Sequence, residues 1–96
     1  DKSTAIYGSG FYGTYVAKTL RNLNFVTCFI DKNPYQHDKN LFYLQVKPLD
    51  QIPKEVDRIY LAVNPIIASK VSDELQQTLN RTFEIFTLRR FSNVTF

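Results

Sequence analysis

Three glycines, Gly8, Gly10 and Gly13, close a short apolar stretch, Thr4-Ala5-Ile6-Tyr7, and open an amphipathic one. Their G-x-G-x-x-G spacing suits holding a diphosphate with main-chain groups. Gly8 lets the backbone leave a strand in a tight turn. Gly10 offers no side chain to an approaching pyrophosphate, and Gly13 lets the next helix pack close to the strand. The N–H groups at a helix start lack intrahelical acceptors and lie at the positive end of the dipole, so they favour an anion. The candidate phosphate loop is therefore Gly8, Ser9, Gly10, Phe11, Tyr12 and Gly13. The competing reading is a glycine-rich turn kept for packing alone, in which Phe11 and Tyr12 cover the pocket or pack on a neighbouring domain.

Asp31, about 20 residues beyond the loop, is placed to accept hydrogen bonds from an adenosine ribose. A carboxylate there repels a 2′-phosphate and so favours NAD over NADP, a preference that the adjacent Lys32 blunts. Asp31 reads equally well as a turn-forming residue before Asn33-Pro34. Ala62, Val63 and Asn64 end a later apolar stretch and reach the same edge if the strands are parallel. Asn64 is first a cap for the following helix and second a ligand contact. His37, alone in a polar loop, reads as surface, and Cys28, mid-strand, as core. No nucleophile–base pair and no Cys/His cluster is legible, so no catalytic residue and no metal ligand is assigned.

The elements that must position these residues follow from hydrophobic spacing. Thr4 to Tyr7 is a strand buried on both faces. Phe11, Tyr15, Val16, Leu20 and Leu23 predict a helix from Phe11 to about Leu23. Phe25 to Ile30 is a β-branched and aromatic strand. Pro34 forces a turn after Asp31. A short strand is predicted at Tyr43 to Val46, at most one helical turn between Pro48 and Pro53, and a strand at Arg58 to Val63. Ile66, Ile67, Val71, Leu75 and Leu79 define a second helix, with Pro65 at its entrance. Phe83 to Leu88 is a last strand, and Arg89 to Phe96 a terminal segment. This alternation predicts an α/β, Rossmann-like three-layer fold: a five-stranded parallel sheet in the order 3-2-1-4-5, helices on both faces, and a crevice beside the first and fourth strands.

Composition narrows the function classes. Ninety-six residues suffice for one small domain, and 44% hydrophobic content is globular. No apolar run approaches the roughly 20 residues of a membrane span. Nothing at the N-terminus reads as a secretory signal, and the single Cys28 suits a reducing compartment, so a cytoplasmic setting is expected. The net charge of +3 is scattered apart from Arg89-Arg90, which reads as solvated surface rather than a nucleic-acid stripe. The chain has no Met and its first strand begins almost at Asp1, which suggests a piece of a longer protein whose other domains are its partners. An aromatic-rich small module can also pair through an edge strand as a homodimer.

The stretches Ile6-Tyr7-Gly8-Ser9-Gly10-Phe11-Tyr12-Gly13, Phe29-Ile30-Asp31-Lys32-Asn33-Pro34 and Leu61-Ala62-Val63-Asn64-Pro65 together resemble the compact Rossmann modules of bacterial sugar-nucleotide and polysaccharide-biosynthesis proteins. These include the N-terminal module of nucleoside-diphosphate-sugar epimerase/dehydratases and the accessory modules of sugar or FkbM-type methyltransferases. The resemblance covers nearly the whole chain. It implies a nucleotide or sugar-nucleotide pocket lined by Gly8 to Gly13, Asp31 with Lys32, and Ala62 to Asn64. It supplies no catalytic residue: the Tyr-x-x-x-Lys pair of short-chain epimerases finds Val16 after Tyr12 and Thr19 after Tyr15. Three alternatives remain: a scaffold or regulatory domain that has lost its cofactor, a CoA-binding module, and an S-adenosylmethionine methyltransferase core. The last fares worst, because Tyr7 rather than an acidic residue precedes the glycines.

Overall fold

The computed structural model describes residues 3–20 and 22–88. Arg89-Arg90 and the rest of the expected terminal segment lie outside them. The elements run β1 (Thr4–Tyr7), α1 (Phe11–Leu20), β2 (Val26–Ile30), β3 (Asn40–Leu41), β4 (Leu44–Lys47), β5 (Arg58–Leu61), α2 (Ala68–Leu79) and β6 (Glu84–Thr87), with 3-10 turns at Pro34–Gln36 and Leu49–Gln51. The strands form one sheet in the order β3-β4-β2-β1-β5-β6. All neighbours are parallel except β3 and β4.

The expected α/β architecture is present, with one correction. The five expected strands keep their order, and a sixth, β3, adds an antiparallel edge. It arises because residues 40–45 fold into a hairpin whose two central residues, Phe42 and Tyr43, have φ of 53° and 65°. Two-residue hairpins favour such left-handed turns because their twist matches that of the strands, but Asn-Gly usually occupies them. Phe42 and Tyr43 carry no such signal, so only a strand from Tyr43 was expected.

The sheet separates two cores. On one face Ile6, Phe29, Val46 and Ala62 pack with Val16 and Ala17 of α1. On the other, Tyr7, Cys28, Ile30, Ile59 and Leu61 pack with Ala68 and Leu75 of α2. Cys28 is fully buried, as its mid-strand position implied. Each fully buried aliphatic or aromatic side chain contributes about 1.5–3 kcal/mol. The register skips Thr27: Thr4 faces Val26, and Ala5 faces Cys28. This irregularity shifts the alternation by one residue, which places Val26 and Phe29 on the α1 face and Cys28 and Ile30 on the α2 face.

Both helices differ from their predicted outlines. The buried side of α1 is Gly13, Val16 and Ala17, with Leu20 partly buried against the same core. Phe11 and Tyr15 lie on the exposed side, because a small residue at 13 lets the helix rotate that face onto the sheet. The helix ends at Leu20 rather than near Leu23. Helix α2 starts at Ala68, not Ile66. Ile66 and Ile67 sit in a turn closed by the Ile67 N–H donating to the Asn64 carbonyl at 3.0 Å, and both are exposed. The helix ends on Asn80 in the left-handed region, whose N–H donates to the Gln76 and Gln77 carbonyls.

Candidate functional site

The loop between β1 and α1 lies at the carboxyl edge of the sheet, beside the point where the strand order reverses. Parallel α/β sheets place their ligands at such a point. Tyr7 ends β1. The Gly8 N–H donates to the Ile30 carbonyl at 2.6 Å, and the Tyr7 carbonyl accepts the Ala62 N–H at 2.8 Å. The loop is thus pinned to both neighbouring strands.

The three glycines are held by different causes. Gly8 has φ of 105°, and a Cβ there would stand 2.5 Å from the Ala62 carbonyl oxygen. A Cβ on Gly13 would collide with the Gly8 carbonyl oxygen. Gly8 and Gly13 are therefore required by the fold itself. Gly10 is not: a Cβ there would meet nothing within 4 Å. Gly10 is exposed at the start of α1, whose ladder begins with the Thr14 N–H donating to the Gly10 carbonyl at 3.0 Å. The N–H groups of Phe11, Tyr12 and Gly13 precede that ladder. The aromatic neighbours leave the corner open: Phe11 is 81% exposed, and Tyr12 folds back toward the α1 core with its ring edge-on to Phe11 at 5.5 Å.

Asp31 comes to the loop from the end of β2. Its Oδ2 accepts from the Ser9 N–H at 2.9 Å and from the Ser9 hydroxyl at 2.6 Å, and its Oδ1 accepts from the Asn33 N–H at 2.9 Å. The Asn33 bond is the turn geometry expected of an Asp before Asn-Pro. The two Ser9 bonds have no counterpart in the sequence reading. Burial alone would raise the Asp31 carboxyl, but the Ser9 hydroxyl, the Asn33 and Ser9 N–H groups and the nearby His37 outweigh it and hold it below its ordinary value. His37 is not the free surface residue expected, since its Nε2 lies 2.7 Å from the Asp31 carbonyl oxygen.

The remaining predicted residues divide. Ala62 is brought against Gly8. Val63 packs into the α2-side core. Asn64 does not cap α2: its Oδ1 accepts the Ile66 N–H at 2.9 Å and closes the turn ahead of the helix. Lys32 is exposed at the mouth of a cavity of about 200 Å³ that it shares with Tyr7, Leu49, Val71, Glu74, Leu75 and Thr78. In the sequence Tyr7 reads as the end of a strand and the α2 residues as helix faces, with nothing local to join them in one cavity. A phenol in the last strand position before the first glycine was the signal available. Among the described residues no cluster of three or more His, Cys, Asp or Glu side chains could hold a metal ion, and no helix is long and apolar enough to cross a membrane.

The chain matches no protein-family model, and no curated protein matches its sequence. Among solved structures it is similar to the crystal structure of UDP-D-quinovosamine 4-dehydrogenase from Vibrio fischeri. The TM-score is 0.67, with 18% sequence identity, covering 99% of this chain and 86% of that one. At that identity the likeness shows a shared Rossmann-like fold.

Proposed function

We propose that this chain is a nucleotide-binding module, with an NAD-type dinucleotide as its ligand, belonging to an enzyme that modifies sugar nucleotides or polysaccharides. The observation that carries the reading is the difference between the glycines. Packing accounts for Gly8 and Gly13, while Gly10 faces open space beside the leading amides of α1. A bare backbone at that point suits close approach by a diphosphate. The residues present fit the group: the Phe11, Tyr12 and Gly13 amides would hold the diphosphate, and the Asp31 carboxylate, already anchored by Ser9, would face the ribose. A bound nicotinamide would supply hydride acceptance. The structural neighbour, named as a dehydrogenase of a UDP-sugar, supports the same direction. The substrate and the catalytic groups are assigned to other domains of a parent chain.

A second reading is favoured by one observation. The Asp31 carboxylate is already engaged by Ser9 and Asn33, as in a loop that holds its shape without a ligand, which suits a scaffold domain. Thermal-shift titration with NAD, NADP, CoA, S-adenosylmethionine and a UDP-sugar separates the two. A ligand at 100 times its Kd adds about 2.7 kcal/mol of stability. The nucleotide reading expects the largest shift with NAD and its loss in Gly10→Val, with folding retained. No shift with any of the five ligands supports the scaffold.

A further inference from the structure

Tyr7 is 7% exposed and lines the cavity between the carboxyl ends of β1 and β2 and helix α2. Its hydroxyl makes no hydrogen bond to any described residue. It is nevertheless not sealed off, since the one fully buried side-chain oxygen without a partner among the described residues is Thr4 Oγ1. A nearly buried phenol whose hydroxyl is unpaired among the described residues and opens onto a cavity is a donor available to a ligand there. The place is specific: Tyr7 adjoins Gly8, and Lys32 adjoins Asp31, whose carboxylate holds Ser9. A nucleotide with its diphosphate on the loop and its ribose at Asp31 extends next toward Lys32.

We propose that the Tyr7 hydroxyl donates a hydrogen bond to the edge of the nucleotide's heterocyclic base, which occupies the cavity shared with Lys32, Glu74 and Thr78. The inference rests on the nucleotide reading above and adds the residue that recognises the base. Leu49, Val71 and Leu75 give apolar surface for the faces of a ring, while Lys32, Glu74 and Thr78 give a polar rim. About 200 Å³ is below the roughly 300–1,000 Å³ of whole-ligand pockets and suits one ring system. Burial, followed by the Asp31 and Glu74 charges, pushes the Tyr7 phenol up to about 12, so at neutral pH it remains a donor. The recognised chemistry is a planar heterocycle with an acceptor on its edge, which an adenine ring nitrogen or a uracil carbonyl supplies.

Calorimetric titration of wild type, Tyr7→Phe and Thr78→Phe with NAD, UDP and inorganic pyrophosphate tests this. Wild type is expected to bind NAD or UDP more tightly than pyrophosphate, and the tighter of the two identifies the base. Tyr7→Phe keeps the ring and removes the donor. It should weaken that nucleotide about five- to tenfold, leave pyrophosphate unchanged, and leave the melting temperature of the free protein equal or higher. Thr78→Phe, which obstructs the mouth from an exposed position, should weaken the same nucleotide with no loss of fold. Equal nucleotide affinity in wild type and Tyr7→Phe overturns the inference. Pyrophosphate binding with no gain from a base overturns it while leaving the loop reading intact, and failure to bind any of the three overturns both.

Discussion

Asp31→Ala should destabilise the free domain, although its side chain is only partly buried. The carboxylate accepts from three donors: the Ser9 N–H, the Ser9 hydroxyl and the Asn33 N–H. Hydrogen bonds to a charged group contribute about 1.5–3 kcal/mol each when well shielded and about 0.5–1.5 kcal/mol when neutral or solvated. Asp31 is only partly buried, so three bonds in the lower range give about 1.5–4.5 kcal/mol, a large share of a stability of about 5–15 kcal/mol for a small domain. Equilibrium urea unfolding of wild type, Asp31→Ala, Ser9→Ala and the double variant checks this, and the double-mutant cycle isolates the Ser9–Asp31 coupling. The pH dependence has a defined sign. The folded-state value of Asp31 lies below its unfolded value. Its stabilisation is therefore complete above the unfolded carboxyl value of about 3.9 and is lost as pH falls through the lower folded value. The gap between wild type and Asp31→Ala should narrow in strong acid. A gap under about 0.5 kcal/mol at neutral pH, or one that does not narrow in acid, refutes the carboxylate anchor.

Three further outcomes follow from the packing. Gly13→Ala, whose Cβ collides with the Gly8 carbonyl, should cost about 2–3 kcal/mol in urea unfolding, while Gly10→Ala should stay within about 0.5 kcal/mol of wild type. Replacing Phe42-Tyr43 by Asn-Gly should raise stability by about 1–2 kcal/mol, since both residues hold positive φ while exposed, and a loss in thermal unfolding contradicts the hairpin geometry. Thr4→Val removes a fully buried hydroxyl oxygen that has no partner among the described residues, so denaturation should show equal or greater stability, by up to about 1 kcal/mol.

The architecture was legible because the three central parallel strands are largely apolar runs ended by turn residues: Tyr7 before Gly8, Ile30 before Asp31, and Leu61 shortly before Asn64-Pro65. What escaped was set by contacts across the chain or by backbone geometry without a residue signature. Phe42-Tyr43 occupies a turn whose sequence preference it does not share. The rotation of α1 depends on Gly13 meeting Gly8, so counting apolar residues favoured Phe11 and Tyr15 for the wrong side. In the candidate site, the glycine loop and Asp31 were readable from spacing. The Ser9 link joins residues 22 positions apart, and nothing local to either marks it. Tyr7 and Glu74 meet only because α2 crosses back over the carboxyl ends of β1 and β2.

The central claim is that the leading amides of α1 receive a diphosphate. Amide chemical-shift mapping of the labelled protein during titration with NAD tests it most directly. The largest shifts should fall on the N–H groups of Gly10, Phe11, Tyr12 and Gly13, with Ser9 following through Asp31. Saturable binding that leaves those amides unmoved, or no binding at millimolar NAD, contradicts it.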